Sequence, residues 1–235
     1  MVELVGFDGD DTLWHSEGFY RHAEAEFESI VGAWTALPAE DFRHRFFAIQ
    51  RRNLALFGYG VKGMALSMIE AAIELSDARI PARDIQRIVA LARTVLEHPV
   101  ELLPGMRAAV EAVARTHRVV LITKGDLAHQ ERKVAQSGLA DLFQRIEIVS
   151  EKTPASYARV LGEFSLDASA FAMVGNSMRS DIEPVIALGG WGIHMPYHVT
   201  WAHELEHGVE AGHPRVLAIG TPADIPAAVA RCGQA

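Results

Sequence analysis

The second half of the chain alternates short apolar runs with helical stretches, and this pattern restricts the fold more than any other feature. From about Leu102 onward, five apolar or β-branched runs are separated by segments with helical spacing and helix-capping residues. The runs are Arg118–Thr123, Ile146–Ser150, Ala170–Val174, Trp191–Met195 and Arg215–Ile219. Strands that alternate with helices form a parallel sheet covered by helices on both faces. We therefore predict an α/β fold with a doubly wound, Rossmann-like core.

One more strand is predicted at the start of the chain, where the apolar run Val2–Phe7 ends at Asp8. Between this strand and Leu102, the chain shows four stretches with helical spacing and no strand pattern. We predict that this block is an α-helical cap domain inserted after the first strand. The predicted core comprises residues 1–15 and 100–235, and the predicted cap comprises residues 16–99. Residues at helical spacing that we expect in the cap core are Phe42, Phe46, Ile49 and Leu56.

Charge and composition exclude several kinds of partner. The net charge of −8 repels a phosphate backbone, so we do not expect nucleic-acid binding. No run of the sequence approaches the ~18 consecutive apolar residues that a membrane span needs. Cys232 is the one cysteine, so an internal disulfide is impossible and a reducing compartment is favoured. We expect a cytoplasmic protein, and its oligomeric state is not predicted.

Polar residues follow the predicted strand ends, where open parallel sheets bind ligands. They are Asp8, Asp10, Thr123, Lys152, Asn176 and Asp181. An ionised carboxylate such as Asp8 can attack phosphorus directly. A second carboxylate beside it has a raised pKa and can serve as a general acid. Asp8, the Asp10 carbonyl and Asp181 also offer the oxygen ligands that Mg2+ prefers.

These residues, in this order, resemble the four spaced motifs of the haloacid dehalogenase (HAD) superfamily. The first motif is Asp8-Gly9-Asp10-Asp11-Thr12, and the last is Gly175-Asn176-Ser177-x-x-Ser180-Asp181, with Thr123 and Lys152 between them. The helical insertion is similar to the small α-helical cap of that superfamily. The resemblance implies an Mg2+-dependent phosphatase that hydrolyses a small phosphorylated metabolite through an aspartyl-phosphate intermediate.

The resemblance also implies a role for each motif residue. Asp8 is the nucleophile, and Asp10 is the acid that protonates the leaving group and then the base that activates water. Thr123 and the Gly125 backbone hold the phosphoryl group, and Lys152 screens the charges. The implied metal ligands are Asp8, Asp10, Asn176 and Asp181.

Two regions outside the motifs are candidates for substrate binding. Lys124 stands where relatives often have asparagine, and its ammonium either contacts substrate or points to solvent. The glycine-flanked loop Phe57–Gly63 carries Tyr59, whose ring could stack on a substrate, and Lys62, which could bind a second anion. The simpler interpretation of this loop is a turn between two helices.

Three other functions stay open. A carbon–halogen hydrolase has no alkoxide leaving group, so Asp10 would be idle in that chemistry. A phosphomutase would pass the phosphoryl group to a sugar instead of water. A non-catalytic binding protein of the same fold is the third alternative.

The segment His203-Glu204-Leu205-Glu206-His207 matches the zinc-protease pattern H-E-x-x-H. That chemistry needs a stable helix, a third ligand and an open coordination position. Because the segment lies between Pro196 and Gly208, we predict a solvated surface excursion between two strands instead.

Overall fold

The computed structural model describes residues 1–233 and contains a six-stranded sheet in which every neighbouring pair is parallel. The strand order is β3-β2-β1-β4-β5-β6. The strands are β1 (Leu4–Phe7), β2 (Arg118–Lys124), β3 (Arg145–Val149), β4 (Phe171–Gly175), β5 (Trp191–His194) and β6 (Val216–Ala218). The predicted doubly wound α/β fold is confirmed.

Alternate residues of a strand face opposite sides of the sheet, and both sides are buried here. Val5 and Leu121 belong to one apolar cluster, whereas Leu4 and Val120 belong to another. Helices α5 (Met106–Ala114), α6 (Leu127–Ser137) and α9 (Ile225–Arg231) pack on the first side, and α7 (Pro154–Glu163) and α8 (Glu183–Ala187) pack on the second. Burial on both sides explains why these strands are apolar throughout.

The chain divides into two compact units. The first contains Met1–Glu17, Val100–Lys124 and the chain from Gln130 onward, and the second contains Gly18–Pro99 with Gly125–His129. The helices between β1 and α5 are α1 (Glu17–Gly32), α2 (Ala39–Phe57), α3 (Val61–Leu75) and α4 (Ala82–Glu97). None of the helices within residues 1–233 is long and apolar enough to span a membrane.

An aromatic cluster lies at the centre of the second unit. The Phe27 ring lies 4.7 Å from the Phe46 ring and 5.7 Å from the Phe42 ring. The prediction that Leu56 also belongs to this core is wrong, because its side chain is 77% exposed near the end of α2. Asn53, one turn earlier, takes the buried position and donates a hydrogen bond to Ser67 (3.3 Å).

Candidate active site

The carboxyl ends of β1, β2 and β4 are neighbours, because β1 lies between the other two strands. Asp8 directly follows β1, Thr123 and Lys124 end β2, and Asn176 directly follows β4. Lys152 lies between β3 and α7, just before Thr153, whose side chain caps that helix. The topology thus gathers polar residues from four strand ends at one edge of the sheet.

Lys152 connects two of these carboxylates. Its Nζ lies 2.5 Å from Asp8 Oδ1 and 2.6 Å from Asp181 Oδ1. The side chains of Lys152 and Asp181 are each only 1% exposed. A single buried ammonium therefore lies between two buried carboxylates, and the ionised cluster carries a net negative charge.

The pKa values of this cluster reflect that imbalance. Burial raises the pKa of Asp8, the charge of Asp181 raises it further, and Lys152 acts in the opposite direction. Burial alone would lower the pKa of Lys152, but the charges of Asp181 and Asp8 outweigh burial and raise it. The ammonium is therefore charged, and it offsets only part of the negative charge around it.

Asp181 approaches the end of β4 so closely that Gly175 cannot carry a side chain. A Cβ atom on Gly175 would lie 2.2 Å from Asp181 Oδ2. The same carboxylate oxygen accepts a hydrogen bond from the backbone N–H of Ser177 (2.9 Å). The π-helical turn Met178–Ile182 carries Asp181 back to this position.

The Thr12 hydroxyl joins the first strand end to the fourth. Thr12 Oγ1 donates to Asp8 Oδ2 (2.9 Å) and accepts from the backbone N–H of Asn176 (3.1 Å). It also lies 3.2 Å from Asn176 Oδ1. This role of Thr12 was not predicted, because its partner Asn176 is distant along the chain.

Three hydrogen-bond donors of the first unit bind the Asp10 carboxylate. Its carboxylate accepts from Lys133 Nζ (2.7 Å), Trp14 Nε1 (2.6 Å) and Gln130 Nε2 (3.0 Å). Burial alone would raise the pKa of Asp10, but the charge of Lys133 and these hydrogen bonds outweigh burial and lower it. Asp10 is therefore held as a carboxylate, and the expectation of a raised pKa for this second carboxylate is wrong. Gln130 and Lys133 lie within helix α6 and not at a strand end, so strand topology does not single them out.

Gly9 allows Thr123 to lie beside the Asp8–Asp10 segment. A Cβ atom on Gly9 would lie 2.8 Å from the Trp14 ring and 3.0 Å from Thr123 Oγ1. Thr123 is almost fully buried. Its hydroxyl therefore belongs to the same edge of the sheet as both aspartates, and only glycine leaves it that space.

Lys124 is bound by protein groups and does not point to solvent. Its Nζ lies 2.6 Å from Glu204 Oε1 and donates to Ser180 Oγ (2.7 Å). The Glu204 carboxylate also accepts hydrogen bonds from Ser180 Oγ (2.6 Å) and from Ser177 Oγ. Its side chain is only 10% exposed, so the prediction of a solvated surface is wrong for this residue.

The H-E-x-x-H pentad does not form a helix. Only Ala202–Glu204 forms a short 3-10 turn, and His207 is exposed beyond it. Across the described part of the chain, no three histidine, cysteine or acidic side chains are grouped so that they could hold a metal. The residues of the pentad therefore do not form a zinc site of the protease type.

The remaining candidates for substrate binding lie in the second unit. Gly125 has φ +141°, a backbone conformation that favours glycine. Lys62 forms an ion pair with Asp126 (3.0 Å). A Cβ atom on Gly60 would lie 2.9 Å from the Asp126 backbone nitrogen, so the loop that carries Tyr59 packs against Asp126. Contacts of Tyr59, Lys62 and Gly125 with a substrate stay a prediction.

The Lys152 cluster offers oxygen atoms as metal ligands, and such ligands suit a hard divalent cation. The carboxylates of Asp8 and Asp181 contact the same ammonium, and the Asn176 side-chain oxygen lies 3.2 Å from the Thr12 hydroxyl that binds Asp8. The Asp10 carbonyl stays a predicted ligand. Mg2+ is commonly held by one or two carboxylates together with other oxygen atoms. The net negative charge of the cluster and the raised pKa of Asp8 also favour an added positive charge.

Comparisons with known proteins agree on one family. The family model described as haloacid dehalogenase-like hydrolase matches residues 2–189. A haloacid dehalogenase-like family hydrolase from Xanthomonas campestris shares 56% identity, with 99% of this chain and 93% of that chain covered and a TM-score of 0.88. No curated protein is similar enough to match the chain.

More distant structures share the fold but differ in activity. A 2-haloacid dehalogenase from Pseudomonas syringae pv. Tomato DC3000 is 23% identical, covers 98% of this chain and 99% of its own, and has a TM-score of 0.65. A predicted phosphoglycolate phosphatase from Haemophilus somnus is 17% identical, covers 95% and 96%, and has a TM-score of 0.62. The fold therefore does not select between carbon–halogen and phosphate-ester chemistry.

Proposed function

The chain belongs to the haloacid dehalogenase-like hydrolase family, and from that premise we propose that it is a phosphatase acting on a small phosphate monoester. In this proposal Asp8 is the nucleophile, and the reaction passes through an aspartyl phosphate. The substrate is a small phosphorylated metabolite, and the cofactor is Mg2+.

The observation that carries the proposal is the placement of Asp181 and Asp8 on the same ammonium, Lys152. One ammonium does not neutralise two buried carboxylates, so an anionic substrate is repelled beside the nucleophile unless a second cation binds. A phosphoryl group carries negative charge and needs such neutralisation, whereas the carbon of an alkyl halide does not. The two carboxylates are therefore best explained by a metal-assisted phosphoryl transfer.

Asp8, Asp181, Asn176 and the Asp10 carbonyl would hold Mg2+, which when bound neutralises charge on the phosphoryl oxygens and on Asp8. Residues of the chain itself orient the nucleophile. Lys152 holds the Asp8 carboxylate in place, and the Thr12 hydroxyl fixes its second oxygen (2.9 Å). Both contacts orient a nucleophile that must approach phosphorus in line with the leaving group.

The reaction has two halves. In the first, Asp8 Oδ forms a bond to phosphorus as the ester oxygen leaves and takes a proton from Asp10. In the second, Asp10 removes a proton from water, the water oxygen bonds to phosphorus, and the bond between phosphorus and Asp8 breaks. Asp8 is regenerated, and phosphate and an alcohol are released.

The contacts of Asp10 favour its role in the second half. Lys133 and two hydrogen bonds hold it ionised, which is the form that accepts a proton from water. Donation to the leaving group requires that Asp10 first take up a proton, and the nearby ammonium opposes this step. This observation favours carbon–halogen hydrolysis as the second candidate, because a halide leaves without a proton.

Product analysis separates the two candidates. The purified chain is incubated with a panel of phosphate monoesters and with 2-chloropropionate, and free phosphate and chloride are measured. We expect phosphate release that EDTA abolishes and added Mg2+ restores. Chloride release, or full phosphate release in metal-free buffer, would contradict the proposal.

A further inference from the structure

Two contacts join the segment between β5 and β6 to residues that follow β1 and β4. Tyr197 Oη lies 2.7 Å from Nδ1 of His15, which lies between β1 and α1. Arg179 Nη1 donates to the backbone carbonyl of His203 (3.2 Å). Directly after the second contact, the side chain of Glu204 is only 10% exposed, although its neighbours Leu205 and Glu206 are exposed.

Glu204 contacts residues from two different strand ends at once. Oε1 lies 2.6 Å from Lys124 Nζ, at the end of β2. Oε2 accepts from Ser177 Oγ and from Ser180 Oγ, which lie in the segment after β4. The segment after β4 carries Asp181, and the end of β2 carries Thr123.

We propose that Glu204 is a positioning residue of the active site, which fixes the end of β2 against the turn that carries Asp181. Lys124 and Ser180 make one direct hydrogen bond (2.7 Å). The Glu204 carboxylate adds to it, because it accepts from Ser177 and Ser180 while it pairs with the Lys124 ammonium. Nothing in the H-E-x-x-H pattern or in the family motifs assigns this task to Glu204.

Burial makes this contact stronger than a surface ion pair. The side chains of Glu204 and Lys124 are only 10% and 16% exposed. Burial alone would raise the pKa of Glu204, but Lys124 and the hydrogen bonds from Lys124, Ser177 and Ser180 outweigh burial and lower it to about 2. Exposed ion pairs contribute little, whereas loss of one partner of a buried pair leaves an uncompensated charge.

The first test compares Glu204→Gln with Glu206→Gln, an exposed carboxylate two residues away. Its activity readout rests on the proposed function, with 4-nitrophenyl phosphate as substrate. We expect Glu204→Gln to lower kcat about tenfold or more, as outer contacts of a catalytic site commonly do. KM should change much less, and Glu206→Gln should behave as wild type. Wild-type kcat in a folded Glu204→Gln variant would overturn the inference.

The second test shows whether a carboxylate is required at this position, and its Tm readout does not depend on turnover. In Glu204→Ala, sodium formate can place a carboxylate against Lys124 and the serine hydroxyls. We expect formate to raise the Tm and kcat of this variant above their values in equal sodium chloride, with no such difference for wild type. Equal effects of the two salts on a folded variant would contradict the inference.

If Glu204→Ala does not fold, Lys124→Met and the double variant with Glu204→Gln decide the question. We expect the two single changes to lower kcat to a similar extent and the double change to add little, since both remove the Lys124–Glu204 ion pair. Additive losses of kcat in the double variant would contradict the inference. If the wild-type chain releases no phosphate from any ester, the proposed function fails, while the formate effect on Tm still tests Glu204.

Discussion

Lys133 Nζ lies 2.7 Å from Asp10 Oδ1, so a lysine of α6 holds the carboxylate that follows the first strand. Lys133 also donates to Ser16 Oγ (3.3 Å), two residues beyond Trp14, the second donor to Asp10. The position of Asp10 therefore depends on a helix that follows β2, far from Asp10 in the sequence.

Replacement of Lys133 by methionine should impair turnover of a phosphate ester. Asp10 would lose its charged partner and its fixed orientation, and misplacement of a general acid–base typically costs about 100-fold. Lys133→Arg, which keeps the charge, should retain more activity than Lys133→Met. Steady-state kinetics of both variants, with the exposed neighbour Arg132→Met as control, test this. Equal activity in Lys133→Met and wild type would show that Asp10 needs no such partner.

Asp8→Asn should abolish phosphate release and leave the fold intact. An amide cannot form the acyl phosphate. Lys152 keeps Asp181 as its partner, and a buried carboxylate with a raised pKa is replaced by a neutral group. We therefore expect a Tm equal to or above that of wild type, measured without added metal. Asp141→Asn, at an exposed position, serves as the control, and residual turnover in Asp8→Asn would exclude Asp8 as the nucleophile.

Gly175→Ala should damage the site by steric contact alone. The added methyl group would lie 2.2 Å from Asp181 Oδ2, and overpacking of this kind costs about 1–3 kcal/mol. Gly162→Ala in α7 is the matched control, because its Cβ would meet nothing within 4 Å. That change should stabilise the fold by about 0.5–1 kcal/mol, the usual advantage of alanine in a helix. Urea unfolding and phosphate release of both variants test this, and equal behaviour would contradict the geometry.

The stability difference between wild type and Glu204→Gln should depend on pH. The pKa of Glu204 is lowered from 4.5 to about 2 in the folded chain. A carboxyl group whose pKa is lowered by folding stabilises the fold at pH values above its unfolded pKa of 4.5. This contribution is lost as the pH falls from 4.5 toward 2. A shift of this size corresponds to about 3 kcal/mol. Urea unfolding at pH 6 and pH 3.5 should show the smaller difference at pH 3.5. A difference that is constant with pH would mean that Glu204 is not held as a carboxylate.

The sequence predicted the parts of the site that follow from strand topology. Asp8 and Asn176 each directly follow a short apolar strand, and the parallel order of the strands places such residues at one edge. The contact of Lys152 with Asp8 and Asp181 is the result of this order. Periodicity and strand ends are local signals, which is why one sequence is enough to read them.

The sequence could not predict contacts made across the fold by single side chains. Lys133 lies on a helix whose spacing indicates only that it is helical, and its approach to Asp10 depends on how α6 packs. Glu204 stands in a segment without periodicity, so its burial has no sequence signal. Leu56 shows the converse failure, since helical spacing places it on the buried stripe although α2 ends there and leaves it exposed.

The rings of Phe19 and His98 stack with their centroids 3.6 Å apart, so the two ends of the helical insertion are held together. Strand β1 must find β2 during folding, although Glu3 and Arg118 are 115 positions apart. The entropy lost on loop closure grows with loop length, and helical contacts form faster than distant strand pairs. We therefore expect α1–α4 to fold first and to turn a long connection into a short one. Pulse-labelled hydrogen exchange should then show protection of these helices before protection of β1, which makes the insertion an aid to the folding of the sheet.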